Sequence, residues 1–361
     1  MALAHALPTL GLASLRHCLY GVPTEAHPAI WGRGMTDLAA VDASTVQDLE
    51  QHRRELTAHC YRMLGSGFDA DDAVQETLVR AWRAVDRFDG RSSLRSWLYR
   101  IATNVCFDTL SSRSRRAMPM DMSAAPSPPV LASLGAPLPE TAWVEPVPDG
   151  RVLPDSSDPA ELAVARESVR LAFVAALQHL PPRQRAVLIL REVLRWKADE
   201  VAELLDTSVA SVNSALQRAR ATMSARTPRG SAPDPLDEAH AALLRRYVEA
   251  FESYDITALV ALLHEDATQC MPPYGLWLSG PDDIGAWHLG PGSGCRGSRM
   301  IEVRANGTIG FAQYKPTGAG DRREPWAVHL LEVADGRITS ITNFLGPAHF
   351  RLFGLPDHLG G

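Results

Sequence analysis

PRQRAVLILREVLRWKADEVAELLDTSVASVNSALQRARATM, residues 182–223, is the stretch on which the reading of this chain turns. Its periodicity predicts an amphipathic helix, a short helix over 198–205, a turn at Asp206-Thr207-Ser208 and a last helix to about Met223. In that last helix Val209, Val212, Leu216, Ala219 and Met223 recur at helical spacing as a stripe for burial. The opposite face carries Ser211, Ser214, Gln217, Arg218 and Arg220, side chains that reach phosphates and base edges. Two helices across a tight turn, the second polar and basic on its free face, form a helix-turn-helix. Asp206 suits the turn, because aspartate tolerates the left-handed conformation.

Composition bounds the rest. A length of 361 residues implies more than one domain. Apolar residues make up 45% and charged residues 22%, the balance of a soluble globular chain. The net charge of −6 excludes a protein that simply coats nucleic acid, so any DNA role rests on local basic patches. Cys18, Cys60, Cys106, Cys270 and Cys295 are scattered without metal spacing, so neither a metal site nor a cofactor is expected. The sparse, odd set fits a reducing cytoplasm. No apolar run has the length of a membrane span, and no signal peptide is read, so no membrane partner is expected.

Six segments follow along the chain. Residues 1–35 lack periodicity and read as a disordered extension. Residues 36–116 are helical in pattern, with helices expected over 46–63, 70–88 and 94–112. Residues 117–158 are Pro-rich and read as a linker, with Trp143 and Val144 as apolar anchors. Residues 159–226 are helical again, with a first helix expected from Pro159 through 177 behind the cap Asp158. A second linker is read at 227–235. From 236 to 361 two helices, over 236–255 and 256–267, precede strands at 268–278, 299–303, 308–315, 326–333 and 337–345. Asn306-Gly307 and Asp335-Gly336 signal hairpin turns, so an α+β domain with an antiparallel sheet is expected.

Two separated stretches carry a family resemblance. DADDAVQETLVRAW with FDGRSSLRSWLYRIATNVCFDTLSSR resembles region 2 of bacterial RNA polymerase sigma factors of the extracytoplasmic-function group. LPPRQRAVLILREVLRWKADEVAELLDTSVASVNSALQRARATM resembles their region 4. The resemblance implies two all-α domains, a helical bundle and a helix-turn-helix. It implies RNA polymerase core enzyme and promoter DNA as partners, with no catalysis. Asp71, Asp72, Gln75 and Glu76 then face the polymerase largest subunit. Arg91, Ser92, Ser93, Arg95, Asn104 and Asp108 lie near the melted −10 element, where cations meet phosphates and aromatic rings meet unstacked bases. A base flips into a pocket of the loop at about 88–93. Ser208, Ser211, Asn213, Ser214, Gln217, Arg218 and Arg220 read the −35 element. Asn213 and Ala215 stand where many relatives carry a cation, which implies fewer phosphate contacts.

Residues 236–350 resemble the SnoaL-like branch of the NTF2-like fold, an α+β cone with an internal pocket. The resemblance makes Tyr274, Trp277, Trp287, His288, Trp326, His329 and Asn343 candidate pocket residues for a small-molecule ligand. Asp266, His288 and His329 are the candidate general bases if the domain is an enzyme. A regulatory role is the stronger expectation, because no second matched catalytic partner accompanies them.

Overall fold

The computed structural model describes residues 43–88, 90–225, 238–318 and 320–360. The extension expected at 1–35 and the linker expected at 227–235 lie outside the described residues.

The first helical domain is built from α1 (Ala43–Glu50), α2 (Arg53–Leu64), α3 (Gly67–Ala84) and α4 (Leu94–Ser111). The single helix expected over 46–63 is broken at Gln51-His52. Gly65 ends α2 at φ +72°, its N–H bonded to Tyr61 O at 2.8 Å. A Cβ there would also meet Gln178 Cδ at 2.9 Å, so both conformation and space require glycine. Ser66 then caps α3, its Oγ accepting from Asp69 N at 3.3 Å. Ala70, Ala73, Val74, Leu78 and Ala81 of α3 pack against Leu98, Tyr99, Ala102, Val105 and Cys106 of α4 in one core.

Residues 117–158 depart from a loose linker. Trp143, Val144, Val147 and Val152 are buried, and short helical turns α5 (Pro119–Met122) and α6 (Asp149–Val152) punctuate the segment. Its backbone is bonded on both sides. Val144 N donates to Ala117 O and Glu145 N to Gly65 O, while Ser127 N donates to Trp277 O and Leu138 N to Pro273 O. Prolines restrict the unfolded chain and remove donors that would otherwise need partners. The apolar anchors between them find a core to enter, so the segment is a packed strap.

The second helical domain holds α7 (Pro159–Glu167), α8 (Leu171–Leu177), α9 (Pro182–Leu188), one π turn at Ile189–Val193, α10 (Ala198–Leu204) and α11 (Val209–Ser224). Asp158 caps α7 through Ala160 N at 2.9 Å, with Pro159 in the first turn. The helix expected to run through 177 stops at Ser168, whose carbonyl accepts from Arg62 Nε of α2 at 3.1 Å. Asp206 adopts φ 49°, and Ser208 caps α11 by accepting from Ser211 N at 3.2 Å.

The C-terminal domain comprises α12 (Glu238–Ser253), α13 (Ile256–Val260), β1 (Leu263–Cys270), β2 (Trp277–Ser279), α14 (Gly280–Leu289), β3 (Arg299–Ala305), β4 (Thr308–Pro316), β5 (Arg323–Ala334), β6 (Arg337–Leu345) and α15 (Pro347–Leu352). The helix expected over 256–267 gives way to β1 at Leu263, and α14 escaped the sequence pattern. The sheet order is β2-β1-β6-β5-β4-β3. It is not wholly antiparallel, because the chain crosses to the far edge, meanders back and lays β6 parallel to β1. Asn306-Gly307 and Asp335-Gly336 close their hairpins with positive φ at both residues, as the two-residue turn demands.

The two faces of this sheet have different partners. Ile309, Phe311, Leu331, Val333, Ile338 and Ile341 join Leu243, Tyr247, Phe251, Leu259 and Trp287 in a core of the domain's own. Cys270, Ala312, Tyr314, Val328, Leu330 and Phe344, with Phe350 of α15, belong instead to the core that contains both helical domains. Strand alternation therefore makes one face an internal lining and the other a docking face.

Candidate nucleic-acid interface

The helix expected to read DNA is α11. Val212, Ala215, Leu216, Ala219 and Met223 are buried on its inner side. Val209, expected in that stripe, is 42% exposed. Ala215 is buried too, so a cation there would not reach DNA without unpacking the helix. Ser208, Ser211, Asn213, Ser214, Gln217, Arg218 and Arg220 all stand exposed on the outer face. Ser208 serves the turn as its cap, Arg218 Nη1 donates to Ser214 Oγ at 2.6 Å, and Arg220 pairs with Glu192 at 2.5 Å.

The residues placed near the −10 element are less open. Ser93 caps α4, its Oγ accepting from Ser96 N at 3.0 Å, while Arg91 is exposed and Ser92 half-buried before it. Arg95 is half-buried: its Nε pairs with Glu55 at 2.7 Å, and its guanidinium lies 5.1 Å from the Tyr99 ring and 5.6 Å from that of Trp196. Trp196 belongs to the second helical domain, as does Glu203, which Arg100 Nη2 meets at 3.5 Å. Asn104 is exposed, and Asp108 pairs with Arg80 at 3.2 Å. Arg116, part of the same Arg-rich stretch, is buried and structural. It donates to Glu140 O and Trp143 O in the strap and to Asp69 Oδ2 at 2.6 Å.

On α3, Asp72, Gln75 and Glu76 are exposed and Asp71 is half-buried. Glu76 pairs with Arg80 at 2.7 Å, and Gln75 Oε1 accepts from Arg53 Nη2 at 3.4 Å. Asp71 is taken by Arg151 of α6, and burial pushes its carboxyl up against the pull of that guanidinium.

Sequence reasoning missed the seam that joins the domains. Asn306, 1% exposed at the β3–β4 tip, donates through Nδ2 to Tyr61 Oη at 2.5 Å and to Val169 O at 2.8 Å. Its Oδ1 accepts from Val147 N at 3.0 Å, and Gly307 N donates to Asp149 Oδ1 at 2.7 Å. Arg170 pairs with Glu332 beside it. Two buried arginines cross between the helical domains in opposite directions. Arg62 of α2 reaches Ser168 O and Oγ, and Arg185 of α9 reaches Met63 O.

Glu145 lies in the same seam, bonded by Ser66 Oγ, with Arg116 Nη1 at 3.4 Å and His349 Nε2 at 3.9 Å. Burial pushes its carboxyl from 4.5 up to about 7, against the Ser66 hydrogen bond and Arg116. The folded chain therefore keeps a proton that the unfolded chain releases between those two values, and this group's contribution to stability falls as pH rises across that window. Glu145→Gln, which cannot ionise, is expected to gain on the parent by about 3 kcal/mol as urea unfolding is moved from about pH 5 to about pH 8. A difference that stays flat with pH would overturn this assignment.

Inside the C-terminal domain, the candidate pocket residues divide. Trp287, His288, His329 and Asn343 are buried, Tyr274 and Trp277 are half-buried, and Trp326 is 39% exposed. Trp277 pairs across from Cys270 on the docking face, and its Nε1 donates to Ser123 O of the strap at 3.2 Å. Trp326 is the unpaired residue where the β4–β5 register shifts, with Lys315 Nζ 4.1 Å from its ring. Asp266 is exposed, its carboxylate 4.0 Å from His264 Nδ1. The interior instead holds a directed chain. Tyr247 Oη donates to His329 Nδ1 (2.9 Å), His329 Nε2 to Gln313 Oε1 (2.8 Å), and Gln313 Nε2 to Ser298 Oγ (2.9 Å). Burial holds His329 at about 3 and His288 at about 4, so both rings are neutral at pH 7. Gln269 and Gln313, missed from sequence, were legible as polar residues at core-facing positions of apolar strands.

Among the described residues no helix is long and apolar enough to cross a membrane, and no cluster of three or more metal-ligating side chains occurs.

Comparison with known proteins agrees with this geometry. Residues 49–116 match the Sigma-70 region 2 model, 170–223 the Sigma-70 region 4 model, and 244–341 the SnoaL-like domain model. The chain is 47% identical over 319 residues to the ECF RNA polymerase sigma factor SigG of Mycobacterium tuberculosis, covering 86% of this chain and 83% of SigG. It is 28% identical over 316 residues to SigJ of the same organism, covering 84% of this chain and 93% of SigJ. The crystal structure of SigJ shares the fold, with a TM-score of 0.57 at 24% identity, covering 87% of this chain and all of that one. With both helical domains and the C-terminal domain so matched, the chain belongs to the ECF family of RNA polymerase sigma factors.

Proposed function

We propose that this chain directs RNA polymerase to two-part promoters, reading the −35 element with α11 and the −10 element with α4 and the loop before it. The observation that carries this reading is the outer face of α11, where every polar side chain expected at DNA is exposed above a buried apolar stripe. Asp72, Gln75 and Glu76 offer an acidic face to the polymerase on a separate helix. The chain itself makes or breaks no bond in this role. The buried polar chain in the C-terminal domain is neutral and internally bonded, which supports a regulatory domain over a catalytic one. Docked on both helical domains, it restrains how far they separate, while Arg95 and Arg100 are engaged by the second helical domain.

The test is promoter-dependent transcription with purified core polymerase. Arg218→Ala is expected to lower promoter affinity and to reduce the slope of log affinity against log salt by about 1, as for one lost phosphate contact. Transcription that proceeds equally with a scrambled −35 element would remove α11 from promoter reading.

A further inference from the structure

The acidic face assigned to the polymerase is already partly occupied, and its occupant comes from this chain. An open cleft of about 1460 Å³ is lined by α2, α3, the strap and α7. Asp71, Asp72 and Gln75 line one wall, and Gly150, Arg151 and Val152 line another. Arg151 reaches across to Asp71, with each side chain about two-fifths exposed (40% and 39%). Asp71 thus has a guanidinium partner before any polymerase arrives.

The strap around Arg151 is fixed on both sides. Upstream, Val147 N and Asp149 Oδ1 are bonded to Asn306 and Gly307 at the tip of the C-terminal domain. Within α6, Val152 is 3% exposed in the common core. Downstream, Arg54 of α2 donates to Leu153 O at 3.4 Å and pairs with Asp155. The side chain between these anchors has little freedom to leave Asp71 while they hold. An ion pair at this exposure is weak alone, but the anchors also hold the backbone of α6 where a docking surface would approach.

The geometry assigns Arg151 as an internal stand-in for a cation of the polymerase: α6 covers Asp71 and must be displaced when core enzyme binds. This rests on the reading of α3 as the polymerase face. The tip of the C-terminal domain, which sets α6 in place, thereby reaches that face without touching it.

The experiment measures core polymerase binding by the full chain. Arg151→Ala is expected to tighten binding by about fivefold, the equivalent of one exposed ion pair at the upper end of its range. Arg151→Lys, which keeps the charge, is expected to lie close to the parent. In an Asp71→Asn background the gain from Arg151→Ala should vanish, since the pair it breaks no longer exists. Unchanged or weaker binding by Arg151→Ala, with an unchanged melting temperature, would overturn the assignment. Glu76→Ala separates the two layers: if it weakens binding while Arg151→Ala does nothing, only the stand-in fails. If Glu76→Ala and Asp72→Ala both leave binding unaltered, the polymerase face fails with it.

Discussion

Asn306→Ala releases the C-terminal domain from the helical domains. The substitution removes the hydrogen bonds to Tyr61 Oη, Val169 O and Val147 N, all buried. Each such bond is worth about 1 kcal/mol, and leaving its partner buried and unpaired makes the loss larger. Alanine must also hold the φ of 54° that asparagine tolerates, at a further 1–2 kcal/mol or so. The total of about 4 kcal/mol is a large fraction of a typical domain's stability. Urea unfolding of the variant is expected to separate into two transitions, and small-angle scattering to report a larger radius of gyration. Asn306→Gly keeps the turn and loses only the amide, so it should show most of the same effect. A single transition at the parent midpoint, with unchanged scattering, would show that the apolar face alone suffices for docking.

Arg185→Met is expected to loosen the two helical domains by about 3 kcal/mol, read as a fall in the urea midpoint. Arg185 is 3% exposed and donates to Met63 O, to Gln178 Oε1 at 2.6 Å, and to Gln178 O and Leu180 O at 3.1 Å each. Burial lowers it to about 10, which still leaves it charged at pH 7. Methionine fills the volume and makes none of these bonds, so several carbonyls lose their donor at once. Arg185→Lys should recover little, because one ammonium cannot span the positions that the two ends of a guanidinium reach. An unchanged midpoint would mean that water reaches the seam and replaces the guanidinium.

The contrast between α11 and the seam explains how much was legible in the sequence. The stripe on α11, its cap at Ser208 and the turn at Asp206 are local, and period and turn chemistry express them directly. Asn306-Gly307 was readable as a turn, but not as the point where three segments meet, because its partners Tyr61, Val147 and Val169 lie far away in sequence. The strap misled for a related reason. Proline content signals restricted backbone, and whether that backbone is loose or packed depends on what Trp143 and Val152 find to bury against. Arg91 and Arg95 read alike as cations for DNA. The fold leaves Arg91 exposed and pairs Arg95 with Glu55 of α2 beside the Trp196 ring. In the sheet, a register shift leaves Trp326 unpaired while His329 faces the interior, which no count of aromatic residues in a strand distinguishes.

The parallel pairing of β6 with β1 has a consequence for timing. The strand in the middle of the sheet is synthesised after the five strands around it, and the face that covers the helical domains is incomplete without it. Domains fold from the N-terminus as the chain emerges. Both helical domains therefore exist on the ribosome before the surface that packs against them does. On the proposed reading, a nascent chain halted before β6 carries both helical domains without the docking face, and that face arrives only with β6.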